Sequence, residues 1–218
     1  MEEWGDASSR RVGAGGSREE RRLGSAALGD GTWPRSRAED DGAEELIVLV
    51  DDEGRAIGSM LKPLVHHGET PLHRAFSAYL FDDAGRLLIT RRAADKATFP
   101  GMWTNTVCGH PGPDEDDAAA IARRAAFELG LDVSDVRPAL PGYRYRAEFQ
   151  GVVENEICPV YLGRFTGTPA PEPSEVGEWQ LLEWTAFRER QETEGDAWSP
   201  WCREQARLIE DAGLVPSG

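Results

Sequence analysis

The sequence predicts a mixed α+β domain in which one central helix sits among several strands, behind a disordered N-terminal extension. Three observations carry that expectation: apolar runs separated by turn residues, one Ala-rich segment bounded by a capping aspartate and a glycine, and a change of texture near residue 45. The 218 residues suit one core with appendages, and 39% hydrophobic, 29% charged and 8% aromatic residues describe a globular chain.

Residues 1–43 are rich in Gly, Ser, Arg and acidic residues and offer little beyond Trp4, Leu23, Leu28 and Trp33 to bury, so disorder is expected there. Glu2, Glu3, Glu19 and Glu20 argue against a transit peptide, which avoids acidic residues. The folded domain is expected over 44–213. It opens with a hairpin, Leu46–Val50 and Arg55–Met60, turning at Asp51-Asp52-Glu53-Gly54. A second follows, Ala75–Phe81 and Arg86–Arg92, turning at Asp82-Asp83-Ala84-Gly85.

Thr104–Cys108 reads as a short strand before Gly109-His110-Pro111-Gly112-Pro113, which cannot be helical. Asp116 or Asp117 caps the helix Ala118–Leu129, and Gly130 stands where a helix ends. Tyr143–Ala147, Val152–Leu162 and Trp179–Trp184 are further strands. The proline-rich stretch 166–175 is a loop, and Ser199-Pro200 opens a closing helix that ends near Gly213.

A net charge of −15 excludes broad binding to nucleic acid or anionic lipid, so an anionic ligand must meet a local basic pocket or a metal ion. Cys108, Cys158 and Cys202 contain no CxxC pair, which points away from a disulfide scaffold and toward a reducing compartment. With no apolar run of about 18 residues and no signal-peptide core, the protein is expected to be cytoplasmic.

All four histidines, His66, His67, His73 and His110, fall between 66 and 110. Glu154 and Glu156 alternate onto one face of an apolar strand, where two buried carboxylates repel unless cations or protons compensate. Three imidazoles and two carboxylates suit a borderline divalent ion such as Mn²⁺ or Zn²⁺.

Gly109, Glu115, Arg123, Glu128 and Gly130 follow the spacing of the Nudix box, G-x5-E-x7-R-E-U-x-E-E-x-G-U. Arg124 and Phe127 replace two of its glutamates, which puts diphosphate hydrolysis in doubt. The flanking Thr104–Pro111, Phe99–Trp103, Tyr143–Ala147, Val153–Val160 and Ser199–Trp201 together resemble type 1 isopentenyl-diphosphate isomerases, over about 45–210.

That resemblance implies a Nudix fold, a mixed sheet sandwiched between helices, and an enzyme that moves the double bond of a five-carbon diphosphate; a monomer is expected, although the sequence does not fix the oligomeric state. The resemblance further implies one metal ion on His66, His73, His110, Glu154 and Glu156, with His67 facing solvent. Mg²⁺ bridging the substrate diphosphate would be held through Glu128. Arg92 and Lys96, and Lys62 and Arg124 beside them, would bind the diphosphate. Proton transfer falls to Cys108 and Glu156, with Tyr145 hydrogen-bonded to Glu156. The order of the two transfers stays open. Trp201 would offer an aromatic face to a carbocation; Trp103 is expected to pack.

Overall fold

A computed structural model describes residues 45–216, and the disorder expected for 1–43 lies outside them. The chain runs through β1 (Leu46–Val50), β2 (Ala56–Leu61), the helical turn α1 (Lys62–Val65), β3 (His73–Arg74), β4 (Phe76–Phe81) and β5 (Leu87–Arg92). Two short strands follow, β6 (Trp103–Thr104) and β7 (Val107–Gly109), then α2 (Asp117–Leu129) and β8 (Asp132–Leu140). The remainder is β9 (Arg144–Phe149), β10 (Val152–Ile157), β11 (Val160–Thr166), β12 (Val176–Leu182), α3 (Trp184–Thr193) and α4 (Pro200–Asp211).

Two sheets form. One has the order β2-β1-β3-β10-β9; the other has β12-β5-β4-β11-β8, with β6 on β5 and β7 on β4. Every residue of β4 is buried, because both its faces are covered. Phe76, Ala78 and Leu80 pack with Ile121, Ala125 and Leu129 of α2. Tyr79 and Phe81 belong to the opposite core with Phe187 of α3 and Ala206 and Ile209 of α4. The expected sandwich of sheet between helices is thus met. Burying each of the Leu, Ile and Phe side chains among these stabilises the fold by about 1.5–3 kcal/mol.

Asp116 is the residue that caps α2, its Oδ1 accepting from the Ala119 amide at 2.9 Å. At the other end Gly130 turns left-handed at φ 65° and its N–H returns to Ala125 and Ala126. A side chain would be strained there.

Two expected strands are interrupted and one expected hairpin opens, and each departure shapes the site. Val152–Leu162 breaks at Cys158-Pro159, where proline supplies no N–H, and the chain changes sheet. The partner segment changes sheet at the same level, so that β10 runs parallel to β3 with Glu156 opposite His73, and β11 parallel to β4 with Val160 opposite Ser77.

Thr104–Cys108 breaks at Asn105-Thr106, and the second hairpin opens beyond its first pair, Phe81–Leu87. β6 and β7 enter that split from β5 and β4 respectively. Their junction is bridged by side chains: Thr106 donates to Leu88 O at 2.6 Å, and Asn105 Nδ2 to Ala78 O at 3.0 Å.

Trp184, expected at a strand end, instead begins α3, and β8 and α1 carry no sequence signal strong enough to announce them. β8 holds Pro138 and several charges, tolerable because it lies at a sheet edge.

Candidate active site

The sheet-switching segments and the β6–β7 wedge converge on a cavity of about 380 Å³. Cys108 and Glu156 line it together, with Tyr145 and Trp201 on its apolar wall and Lys62, Arg92, Lys96, Arg124 and Glu128 on its polar side. Residues spread from 62 to 201 therefore meet in one place.

His66 follows α1, His73 lies in β3, His110 leaves β7, and Glu156 lies in β10. One donor atom from each falls within 4.8 Å of all the others. The three imidazole centroids stand 5.1, 5.2 and 5.5 Å apart, a nearly equilateral arrangement. Nε2 of His73 and of His110 each lie 3.4 Å from Glu156 Oε1, without a hydrogen bond to any group.

His66 Nε2 likewise lacks a partner, as does Glu154 Oε2, which lies 3.1 Å from it. An orphaned buried polar atom costs about 1–3 kcal/mol, so four at one point call for a shared partner. Glu154 stands beside the four-donor group rather than in it. Both glutamates are buried, at 5% and 6% exposure, which rules out two wet edge carboxylates.

The protonation pattern suits a cation. His73 Nδ1 faces Pro71 O at 2.9 Å, and a carbonyl can only accept, so Nδ1 carries hydrogen there and Nε2 can offer a lone pair to the cluster. Burial pushes His110 down to about 4, leaving a neutral imidazole. Burial would also lower His73, but the adjacent Glu156 carboxylate raises it. For Glu156 burial acts upward, yet contacts with His110 and His73 hold it well below the usual carboxylate range. A neutral His110 beside an ionised Glu156 is a pairing that a borderline divalent ion prefers.

His110 is steadied from α2. Arg123 grips Glu115 through Nε at 2.9 Å and Nη2 at 2.8 Å, and Nη2 also reaches His110 O at 3.2 Å. Gly109 before it has no room for a side chain, since a Cβ would meet Arg124 Cγ and Phe76 Cζ at 3.1 Å. His67 is exposed, its Nδ1 accepting from the Glu69 amide, as expected.

The polar side is an ion-pair network. Arg124 Nε donates to Glu128 Oε1 at 2.9 Å, and Arg124 Nη2 lies 3.3 Å from Glu175 Oε1. Glu175 Oε2 accepts from Lys96 at 2.5 Å. Glu45 holds Lys62 at 2.6 Å, and Thr98 O takes both Nε and Nη2 of Arg92. Burial raises Glu128, against the pull of Arg124.

Glu175 and Glu45 escaped the sequence reading. Glu175 ends a proline-rich loop without periodicity, and Glu45 stands at the domain edge.

Cys108 is half-buried. Its Sγ donates to Asn105 Oδ1 at 3.2 Å and lies 3.4 Å from Ser77 Oγ. Burial pushes the thiol up to about 11, so it holds its proton at neutral pH. Trp201 is 2% exposed, with ring centroids of Phe99 and Tyr145 at 5.0 and 5.4 Å.

The hydrogen bond expected between Tyr145 and Glu156 is not formed. They are cross-strand partners in the β9–β10 pairing, and Tyr145 turns its ring onto Trp201 instead. Trp103 packs on Trp198, as expected. The three cysteines are free thiols.

The NUDIX domain family model matches residues 71–202. An isopentenyl-diphosphate Delta-isomerase of Mycolicibacterium vanbaalenii is 54% identical over 171 residues, 78% of this chain and 94% of that protein. The chain belongs to the isopentenyl-diphosphate Delta-isomerase family, within the Nudix domain proteins. A second such isomerase, from Paenarthrobacter aurescens, is 47% identical over 175 residues, 80% of this chain and 95% of that protein.

Among solved structures, the DR0079 protein of Deinococcus radiodurans superposes with a TM-score of 0.58 at 23% identity, covering 75% of this chain and 98% of its own, which bears on the fold alone. No described helix is long and apolar enough to cross a membrane.

Proposed function

We propose that this family member interconverts isopentenyl and dimethylallyl diphosphate by adding a proton at one end of the allylic system and removing one at the other. The observation that carries this reading is a single cavity lined at once by a thiol, a carboxylate, aromatic walls and a cationic rim. The rim accounts for an anionic substrate on a chain of net charge −15.

Arg92, Lys96, Lys62 and Arg124 would hold the diphosphate, Arg through a planar fork and Lys as a point charge. Cys108 and Glu156 would exchange protons with the two ends of the allylic system, the terminal alkene carbon and the carbon next to the diphosphate-bearing CH2. A tertiary carbocation between them must be kept from water, and the rings of Trp201 and Tyr145 line the cavity where it would form. A desolvated aromatic face contributes about 2 kcal/mol to such a cation.

His66, His73, His110, Glu154 and Glu156 would hold Mn²⁺ or Zn²⁺, and Glu128 Mg²⁺; bound there, the ions would raise local acidity and neutralise diphosphate charge. No nucleic-acid or membrane partner is needed, and the reading is of a monomer in the cytoplasm, in keeping with three free thiols.

Paired variants test the assignment. Cys108→Ala should lose turnover and keep its metal, whereas Glu156→Gln should lose both. A fully active Cys108→Ala enzyme removes the thiol from the mechanism, and normal metal content in Glu156→Gln removes that ligand.

A further inference from the structure

Behind Cys108 runs a buried polar chain that the reaction as described does not use. Ser77 lies in β4 and is fully buried; its Oγ is 3.4 Å from Cys108 Sγ and 3.4 Å from Cys158 Sγ. Gln205 of α4, also fully buried, donates from Nε2 to Ser77 Oγ at 3.1 Å. Its Oε1 accepts from Tyr79 at 3.1 Å, a hydroxyl that also reaches Cys202 O at 3.2 Å.

The Cys108 thiol has a second partner and donates to Asn105 Oδ1 at 3.2 Å. The orientation of that amide is set, because Nδ2 donates to Ala78 O and Val107 O at 3.0 Å each.

Apolar side chains would fill this space at lower desolvation cost, so a fully buried polar chain that reaches the sulfurs of Cys108 and Cys158 calls for an explanation. Of its members, Cys108 is the one that lines the cavity. A cysteine side chain turns about a single torsion with three staggered wells, and two polar partners, Ser77 and Asn105, favour one of them.

We propose that Ser77, oriented by Gln205, is a positioning residue that fixes the Cys108 sulfur where the substrate's allylic carbons lie. The inference rests on the proton-transfer role given above to Cys108. Reacting atoms must meet at roughly 3–3.5 Å, and a misplacement of about 1 Å can cost on the order of 100-fold in rate.

The test is steady-state kinetics with isopentenyl diphosphate, with metal content and thermal melting, on Ser77→Ala, Gln205→Met and Cys108→Ala measured together. Ser77→Ala should lower kcat by about 10- to 100-fold, leave KM within about twofold and retain its metal. Gln205→Met, acting through Ser77, should shift kcat alone in the same direction by less.

Unchanged kcat in a folded Ser77→Ala protein overturns the inference, as does a loss of activity that follows loss of metal. Should Ser77→Ala fail to fold, Gln205→Met decides: reduced kcat at unchanged KM supports the role, and unchanged kcat overturns it. Wild-type activity in Cys108→Ala would sink the underlying reading and this inference with it, whereas an inactive Cys108→Ala beside a fully active Ser77→Ala sinks this inference alone.

Discussion

Removing the cation from the histidine–glutamate cluster should destabilise the whole domain by a measurable amount. Four buried atoms at that point, Nε2 of His66, His73 and His110 and Oε2 of Glu154, have no hydrogen-bond partner. A bound ion that satisfies them binds the folded chain and not the unfolded one. At a free concentration of 100 times its dissociation constant it adds about 2.7 kcal/mol.

For a domain of this size each kcal/mol moves the melting point by about 2–4 °C, so chelation should lower Tm by roughly 5–11 °C. The assay is a melting curve with and without chelator, restored by Mn²⁺ or Zn²⁺. His110→Ala should abolish the difference.

The sign with pH follows from competition at Nε2. Glu156 raises His73, so falling pH protonates that nitrogen early and the ion is displaced. The Tm difference should therefore be larger at pH 8 than at pH 6. A melting point indifferent to chelator, or an undiminished shift in His110→Ala, would refute a cation at this cluster.

Other expectations concern single side chains. Glu175 joins Lys96 and Arg124, so Glu175→Gln should loosen both and raise KM for the diphosphate about tenfold, a change worth about 1.4 kcal/mol, with kcat little altered; a change in kcat alone would contradict this role. Trp201 is buried against Phe99 and Tyr145, so Trp201→Leu should reduce kcat by roughly 30-fold, the counterpart of about 2 kcal/mol, as read by initial rates.

Hydrogen bonding to Arg123 lowers the Glu115 carboxyl, against burial. Its stabilisation is present above the unfolded value, near 4.5, and is lost as pH falls through the lower folded value. Glu115→Gln should cost roughly 0.5 kcal/mol in urea unfolding at pH 7, and the difference should vanish in acid.

The elements that local chemistry dictates were legible in the sequence. Asp116 and Gly130 bracket α2 because each satisfies helix-end groups that few other residues can. Alternation placed Glu154 and Glu156 on one buried face, and clustered histidines pointed to their company. What escaped depends on distant partners: Pro159 signals a break, yet only the pairing with β3 and β4 shows that the chain changes sheets there. The β6–β7 wedge is equally hidden, since Asn105 and Thr106 find their partners on β4 and β5. Glu175 was invisible for the same reason, because its loop has no period and its meaning comes from Lys96 and Arg124. Tyr145 has a hydroxyl suited to Glu156, but its ring packs between Tyr143 and Trp201 instead.

One measurement reaches the central claim directly: proton and phosphorus NMR of purified protein incubated with isopentenyl diphosphate and Mg²⁺. Resonances of the dimethylallyl isomer should grow to an equilibrium mixture while the diphosphate signal stays intact. Release of inorganic phosphate without the isomer would make this cavity a hydrolase site and contradict the account.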